Sequence, residues 1–522
     1  MQNPVRLSAC IAALAVALPL AAALPQPVRT ADGPVSGVAG ADGSVLSFKG
    51  LPFAAPPVGE LRWRAPQPPA SWSAVRKADQ FSASCIQNIV EERKPWTHEY
   101  MAHNAISEDC LYLNVWTPAK SAGEKLPVYF WIYGGGNVEG STAVPIYDGE
   151  NLARRGVVVV TINYRLGVFG FLAHPELTKE AGHSGNYGLL DQRAALQWVQ
   201  KNIAAFGGDP GNVTISGQSA GSGGVHNMVA SPLTRGLFHR AITESGSGYV
   251  ANNAATTMAD AEKDGQKFAA AKGAANLKEL RAKSPQSLMA ALSDGSSSAF
   301  RPVIDGYYLP IEANAAYVQG KQNDMPELTG MNRDERSSEA DYGTKPMSAF
   351  QQAMQQRYGH DAAAFFKLYP NGTQEQSGNS QKASFRDSGL VSMYMWARQR
   401  GKSAKSKAFT YYWTHPEPGA DSARYGTHHT AEVPYVFNTL NQSQRPWAEQ
   451  DRKLSDLLGA YWVNFMKNGD PNGPGLPVWP AFSAASPVTM ELGDKSGPRP
   501  VVDPARLEFW EAYLQRPAAV AR

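Results

Sequence analysis

The chain has 522 residues, 43% of them hydrophobic, enough to bury one large α/β core or two or three smaller ones. Its formal charge of +3 is small for that length and its basic residues are scattered, so nothing favours nucleic acid or an anionic membrane surface over a neutral partner. The 48 glycines and 37 prolines follow no fixed period and imply many tight connections, not a repeat array or a disordered chain.

The chain opens with Met1 to Arg6, ending in a positive charge, followed by an apolar, alanine-rich run from Leu7 to Leu24. Ala21-Ala22-Ala23 offers small residues where a signal peptidase reads, so residues 1–23 are expected to be a signal peptide cleaved near Ala23. An uncleaved anchor is the alternative, disfavoured because the run is short and ends in small residues and prolines. Export places the mature chain in a periplasmic or extracellular compartment. No later segment is apolar enough to span a bilayer, so no stable membrane insertion is expected.

Cys10 leaves with the signal, and the remaining pair, Cys85 and Cys110, is an even count in an exported chain. A single disulfide is expected, closing a loop of roughly 25 positions and contributing roughly 3 to 4 kcal/mol by loop entropy; two free thiols are the alternative.

Short strands and turns are expected from Thr30 to Trp72, where Pro56-Pro57 and neighbouring prolines exclude a helix. Asp109 to Trp116 alternates as a strand. Leu126 to Tyr133 is an apolar run ending in Gly134-Gly135-Gly136, and Val157 to Val160 is a β-branched run of the kind buried on both faces. Leu196, Val199, Ile203 and Phe206 recur at helical spacing between Leu190 and Phe206. Val213 to Ser216 then reads as a buried strand. Beyond Ser245 come short alanine-rich helices from Ala254 to Ala291, a helical stretch from Met347 to Phe366, an aromatic strand from Lys407 to His415, and a helix from Ser455 to Lys467 stopped at Gly469-Asp470-Pro471. Strands alternating with helices predict an α/β fold with a large, mostly parallel sheet covered on both sides, the looser middle forming excursions that cap it. No linker divides residues 24–522, so one domain is expected.

Chemistry concentrates at Gly217-Gln218-Ser219-Ala220-Gly221, a G-x-S-x-G turn between the Val213 strand and a helix beginning at Ala220. Such a turn holds its serine on a strained backbone with the hydroxyl outward at a helix start. Ligands of parallel α/β sheets sit at the carboxyl ends of the strands, where Gly134-Gly135-Gly136 also lies. Glycines there bring backbone N–H groups close to a substrate carbonyl, where they can hold a developing oxyanion.

These residues are similar to those of the type-B carboxylesterases, the α/β-hydrolase family that includes the carboxylesterases and cholinesterases. Ser107-Glu108-Asp109-Cys110-Leu111-Tyr112-Leu113-Asn114-Val115 matches the family's cysteine signature, and Gly207-Gly208-Asp209-Pro210-Gly211-Asn212-Val213-Thr214 leads into its serine signature. Asn163 to Phe171 and Gly469-Asp470-Pro471-Asn472 match as well; the likeness runs from about Val28 to Trp510 and is weakest in roughly 250–390. The resemblance implies an acid at Glu335, within Gly330-Met331-Asn332-Arg333-Asp334-Glu335-Arg336, although Arg336 stands where the family has glycine. It implies a base at His429, three residues before Glu432 and the Tyr435-Val436-Phe437 run, with His428 as the neighbouring decoy. It further implies oxyanion donors at the amides of Gly135, Gly136 and Ala220, support of the acid by Ser245, and a buried structural ion pair between Arg62 and Glu108. The order Ser219, Glu335, His429 is the nucleophile–acid–base order of α/β-hydrolases.

The expected function is therefore that of an exported serine esterase acting on small-molecule esters through an acyl-enzyme. No cofactor and no metal is called for: there is no His-Glu-x-x-His run and the ten histidines show no ligand spacing. A non-enzymatic binding member of the fold, or an amidase, lactonase or lipase with the same triad, are the alternatives; oligomeric state is not legible. Two departures bear on specificity. Gln218 stands where many relatives carry glutamate, removing an anion that would favour a cationic alcohol, and Asn137 replaces a common phenylalanine and is expected to alter the pocket wall. Trp96 and Tyr100 lie in the loop that lines the gorge of the cholinesterases, without a firm alignment.

Overall fold

An 11-stranded sheet carries the molecule in the computed structural model, which describes residues 24–246, 256–290 and 300–516. The expected signal peptide lies outside these residues. In chain order the strands are β1 (Val38–Ala39), β2 (Leu46–Pro52), β3 (Tyr112–Thr117), β4 (Leu126–Ile132), β5 (Val158–Ile162), β6 (Gly208–Gln218), β7 (Arg240–Glu244), β8 (Glu327–Asn332), β9 (Ala408–Trp413), β10 (Val488–Leu492) and β11 (Gly497–Pro500). Across the sheet they run β1-β2-β3-β5-β4-β6-β7-β8-β9-β10-β11. Pairing from β5 to β10 is parallel, while β1, β2 and β3 at one edge and β11 at the other pair antiparallel.

The parallel strands are the apolar ones, as two-sided coverage requires. Every residue of β5 is buried, and so is every residue of β4 after Leu126. β11, by contrast, carries Pro498 and Pro500, which a sheet tolerates only at its edge. The covering helices include α1 (Tyr187–Asn202), α2 (Ala220–Ala230), α3 (Gln374–Arg400), α4 (Glu449–Asn468) and α5 (Pro504–Leu514). The excursions are helical as well, at Met258–Ala271, Leu277–Arg281, Pro285–Met289, Met347–Tyr358 and Ala362–Leu368.

The sequence gives no expectation of β7, β8, the 27-residue α3, the terminal α5 or the edge pair β10–β11. Beside β2 and β3, Cys85 and Cys110 form a disulfide with Cα atoms 5.0 Å apart. Arg62 grips Glu108 through two 2.6 Å hydrogen bonds and donates to the carbonyls of Arg281 and Lys283, tying the disulfide loop to the excursion helices.

Candidate active site

The ends of β4, β6, β7 and β8 meet at one rim, and each delivers a polar group there. β6 ends at Gln218, and the next residue, Ser219, has φ 56° and ψ −122°, a conformation that puts its side chain out of both strand and helix. Glycine brackets the turn because of close approach. A Cβ on Gly221 would lie 2.0 Å from the Ile132 carbonyl oxygen, and one on Gly217 2.5 Å from the Gly221 carbonyl carbon. The serine carries the strain itself. The Ser219 amide donates to Glu244 O at 2.8 Å, anchoring the turn to β7.

Beyond β8 the chain folds back so that the Asn332 amide donates to the Glu335 carboxylate at 2.7 Å. Arg336 needs no left-handed backbone; its guanidinium lies over the Phe385 ring at 4.3 Å and pairs with Glu339, so the family's glycine is not a local requirement here. The loop after β9 is laced to the same turn: Asn332 Nδ2 donates to His428 O at 2.7 Å, and the Thr427 amide to Asp334 at 3.0 Å. These ties set His429 against both partners. Ser219 Oγ lies 2.7 Å from His429 Nε2, and His429 Nδ1 hydrogen-bonds the Glu335 carboxylate. His428, next along the chain, turns away and pairs with buried Glu417 at 2.9 Å.

Electrostatics follow this geometry. Burial alone would push the His429 imidazole down, but the adjacent Glu335 carboxylate outweighs it and holds the ring above its ordinary 6.5. Burial pulls the other way on Glu335 too, and there the His429 charge and hydrogen bonds keep the carboxyl below 4.5. Behind them sit two further acids that the sequence did not mark as functional. Glu432 is pushed to about 7 by burial and by Glu335, and Glu244 is held well above its ordinary value by burial and by Glu432. Ser245 donates to Glu432 Oε1 at 3.4 Å, and its hydroxyl is also one of the groups that hold Glu335 low.

The Gly134–Gly136 turn forms the facing wall. Gly135 and Gly136 have φ of 105° and 63°, and a Cβ on Gly135 would lie 2.2 Å from the Glu139 carbonyl oxygen. Ala220 begins α2, so its amide has no intrahelical acceptor. The open space in front of Ser219 is a cavity of about 310 Å³, lined among others by Gly135, Trp96, Tyr100, Tyr147, Val138 and His429. Trp96 and Tyr100 thus belong to the pocket, and both are also tethered: Trp96 Nε1 donates to Thr430 at 2.7 Å, and the Tyr100 hydroxyl to Glu417. Asn137, expected to alter the pocket wall, is not among its lining residues; it sits at φ 62° and accepts from the Gly167 amide at 2.7 Å, while Val138 lines the wall instead. Gln218 is buried and donates to the His429 carbonyl at 2.9 Å, a bond a carboxylate could not make.

A serine on a strained strand–helix turn, at the carboxyl rim of a mostly parallel sheet, defines the class: an α/β-hydrolase fold. Comparison with known proteins narrows it. The sequence profile of the carboxylesterase family matches residues 25–510. The chain is 36% identical to fumonisin B1 esterase of Sphingopyxis macrogoltabida over 92% of this chain and 90% of that protein. It is 34% identical to human cocaine esterase (94% and 92% covered) and 32% identical to mouse cholinesterase (91% and 84% covered). The chain belongs to the carboxylesterase family, in its type-B branch, and is a carboxylic ester hydrolase of small-molecule esters. Among the described residues no helix is long and apolar enough to cross a membrane.

Proposed function

We propose that the protein is an exported serine esterase in which Ser219 is acylated, His429 moves the protons and Glu335 orients and balances the imidazole. Serine at its free pKa is a weak nucleophile, so attack needs a base on its hydroxyl. His429 Nε2 takes that proton as Ser219 Oγ bonds to the ester carbonyl carbon, and the C=O electrons move to oxygen. The amides of Gly135, Gly136 and Ala220 receive the oxyanion, each donor worth about 3 kcal/mol in the transition state. Imidazolium then protonates the departing alkoxide, the C–O bond breaks, and an acyl-serine remains. Water enters and His429 takes its proton as its oxygen bonds to the acyl carbon; the imidazolium then returns that proton to Ser219 Oγ as the acyl–serine bond breaks, and the carboxylic acid leaves.

The observation that carries this reading is the continuous chain of hydrogen bonds from Ser219 Oγ through His429 to Glu335. Substrate choice follows the walls. With Gln218 neutral and Glu139 engaged by Arg93, the pocket presents no free anion among the described residues for a cationic alcohol, and its aromatic and aliphatic lining suits uncharged ester groups. Residues 1–23 are read as the cleaved signal and 24–522 as one domain, a reading supported by the internal disulfide. Edman sequencing of the exported protein should begin near Leu24.

Ser219→Ala should lower turnover by roughly four to six orders of magnitude with the fold intact by circular dichroism. A fluorophosphonate should modify Ser219 alone, as read by peptide mass spectrometry. A variant keeping a tenth of the activity, or a label on another residue, sinks the assignment.

A further inference from the structure

The disulfide loop that walls the pocket carries a second cluster, well outside the machinery above. Glu91, His98 and His103 bring one ligand atom each to within 4.8 Å of one another. We propose that these three residues bind a divalent transition-metal ion of the zinc class, at the outer rim of the ester pocket.

The argument starts from the histidine tautomers. His103 Nε2 lies 2.9 Å from the His98 carbonyl oxygen. A carbonyl only accepts, so Nε2 carries the proton, and in the neutral ring Nδ1 presents a lone pair. That Nδ1 faces Glu91 Oε2 at 3.5 Å, an acceptor opposite an acceptor, an arrangement that a cation between them would complete. His98 Nδ1 faces the other carboxylate oxygen at 2.8 Å. Fixing one ring nitrogen on a backbone carbonyl, so that the other is aimed as a ligand, is how protein metal sites orient histidine.

Distances and ligand type then select the ion. Around a tetrahedral ion with bonds of about 2.0–2.1 Å, neighbouring ligand atoms lie about 3.3 Å apart. The two histidine–glutamate separations bracket that value. The His98 and His103 rings are stacked, 3.7 Å between centroids and 7° from parallel, so ligation needs one ring to turn out of the stack until both in-plane lone pairs converge on the ion, a rotation open to an exposed side chain. Two imidazoles and one carboxylate suit zinc, whereas calcium takes six or more oxygens. Glu91 and His98 are largely exposed, which leaves a route in from solvent and a fourth position for water.

The backbone beneath is held in place. Cys85–Cys110 closes the loop, buried Tyr100 is bonded to Glu417, and Trp96 to Thr430. The ligands interleave with pocket-lining Val90, Arg93, Trp96 and Tyr100. A bound ion therefore cross-links position 91 to 98 and 103 and stiffens the wall through which an ester enters.

The competing account is a protonated histidine–glutamate ion pair and nothing more. Calorimetric titration of the chelator-stripped mature protein with zinc chloride at neutral pH separates the two. One ion per chain is expected, with affinity weakened at least tenfold in His98→Ala and in Glu91→Gln, and unchanged in His360→Ala, whose ring is exposed elsewhere on the surface. Zinc should also raise the melting temperature of the wild type and of His360→Ala, but not of the two site variants. Matching metal-free melting curves exclude misfolding as the cause. Absence of stoichiometric binding, or binding that survives both site substitutions, overturns the proposal. The readout is independent of Ser219 chemistry, so this inference and the catalytic reading fail separately.

Discussion

His429 is the residue on which opposing effects are most finely balanced. Burial disfavours its charged form and Glu335 favours it, with a net rise above 6.5. A general base works only when neutral, so kcat/KM is expected to climb with pH through an acid limb placed above 6.5. Glu335→Gln removes the raising influence and leaves burial in command. The limb should move to lower pH while turnover falls roughly 10⁴-fold, as when a triad acid loses its charge. A kcat/KM–pH profile checks both; an unmoved limb contradicts the role given to Glu335. Gln218 offers a complementary test. Gln218→Glu breaks the 2.9 Å bond to the His429 carbonyl and buries an anion beside the nucleophile. The acid limb should shift further upward, and a cationic ester should gain over its neutral isostere on the order of tenfold, about 1.4 kcal/mol. Paired kinetics on the two esters reads that ratio.

At the scale of elements, legibility tracked how apolar the buried face is. β4, β5 and β6 and helix α1 bury continuous or periodic hydrophobic residues, and each was readable. Helix α3 was not, because its buried face includes Ser377, Gly378, Ser380, Gln381, Ser384 and Asp387. Small polar residues sit there because another backbone comes close: a Cβ on Gly378 would lie 2.3 Å from the Gly343 carbonyl oxygen. β10 and β11 were hidden by their shortness and by edge prolines. The positions of Ser219, Glu335 and His429 came from the G-x-S-x-G turn and the family likeness, since nothing in their local patterns says that residues up to 210 positions apart meet. Glu432 was visible only as a marker for the histidine, and its hydrogen bonds to Ser245 and Asn332 had no sequence signal at all. The turn itself makes a sharper prediction. Gly221→Ala forces a methyl against the Ile132 carbonyl, backbone that cannot move aside without parting β4 from β6. A loss near the upper end of the 1–3 kcal/mol typical of overpacking is expected, about 3 kcal/mol, measured by denaturant unfolding. Gly223, with open space at its Cβ, is the control: Gly223→Ala should cost little.

For the molecule as a whole, the acids behind the site make stability depend on pH. Glu432 and Glu244 both bind protons more tightly folded than unfolded, because burial and a neighbouring carboxylate resist their ionisation. Their contribution is greatest below the ordinary 4.5 and is lost as pH rises, for Glu432 through about 7. The raised His429 acts in the same direction, its contribution present below 6.5 and lost as pH passes its folded value. Glu335 opposes them only at the acid end, its contribution disappearing as pH falls through its depressed value. The melting temperature should therefore fall between mildly acidic and alkaline pH. Glu244 is the place to test this away from the reacting atoms. One of its oxygens accepts from Trp462 Nε1 at 3.0 Å, a bond a glutamine oxygen keeps, and the other has no hydrogen-bond partner among the described residues. Glu244→Gln supplies permanently the neutral form that the fold prefers. It should leave the melting temperature nearly unchanged at pH about 5 and raise it at pH about 8. Equal effects at the two values would mean that Glu244 is already ionised in the folded protein at pH about 5, so that its carboxyl is not raised and the slope arises elsewhere.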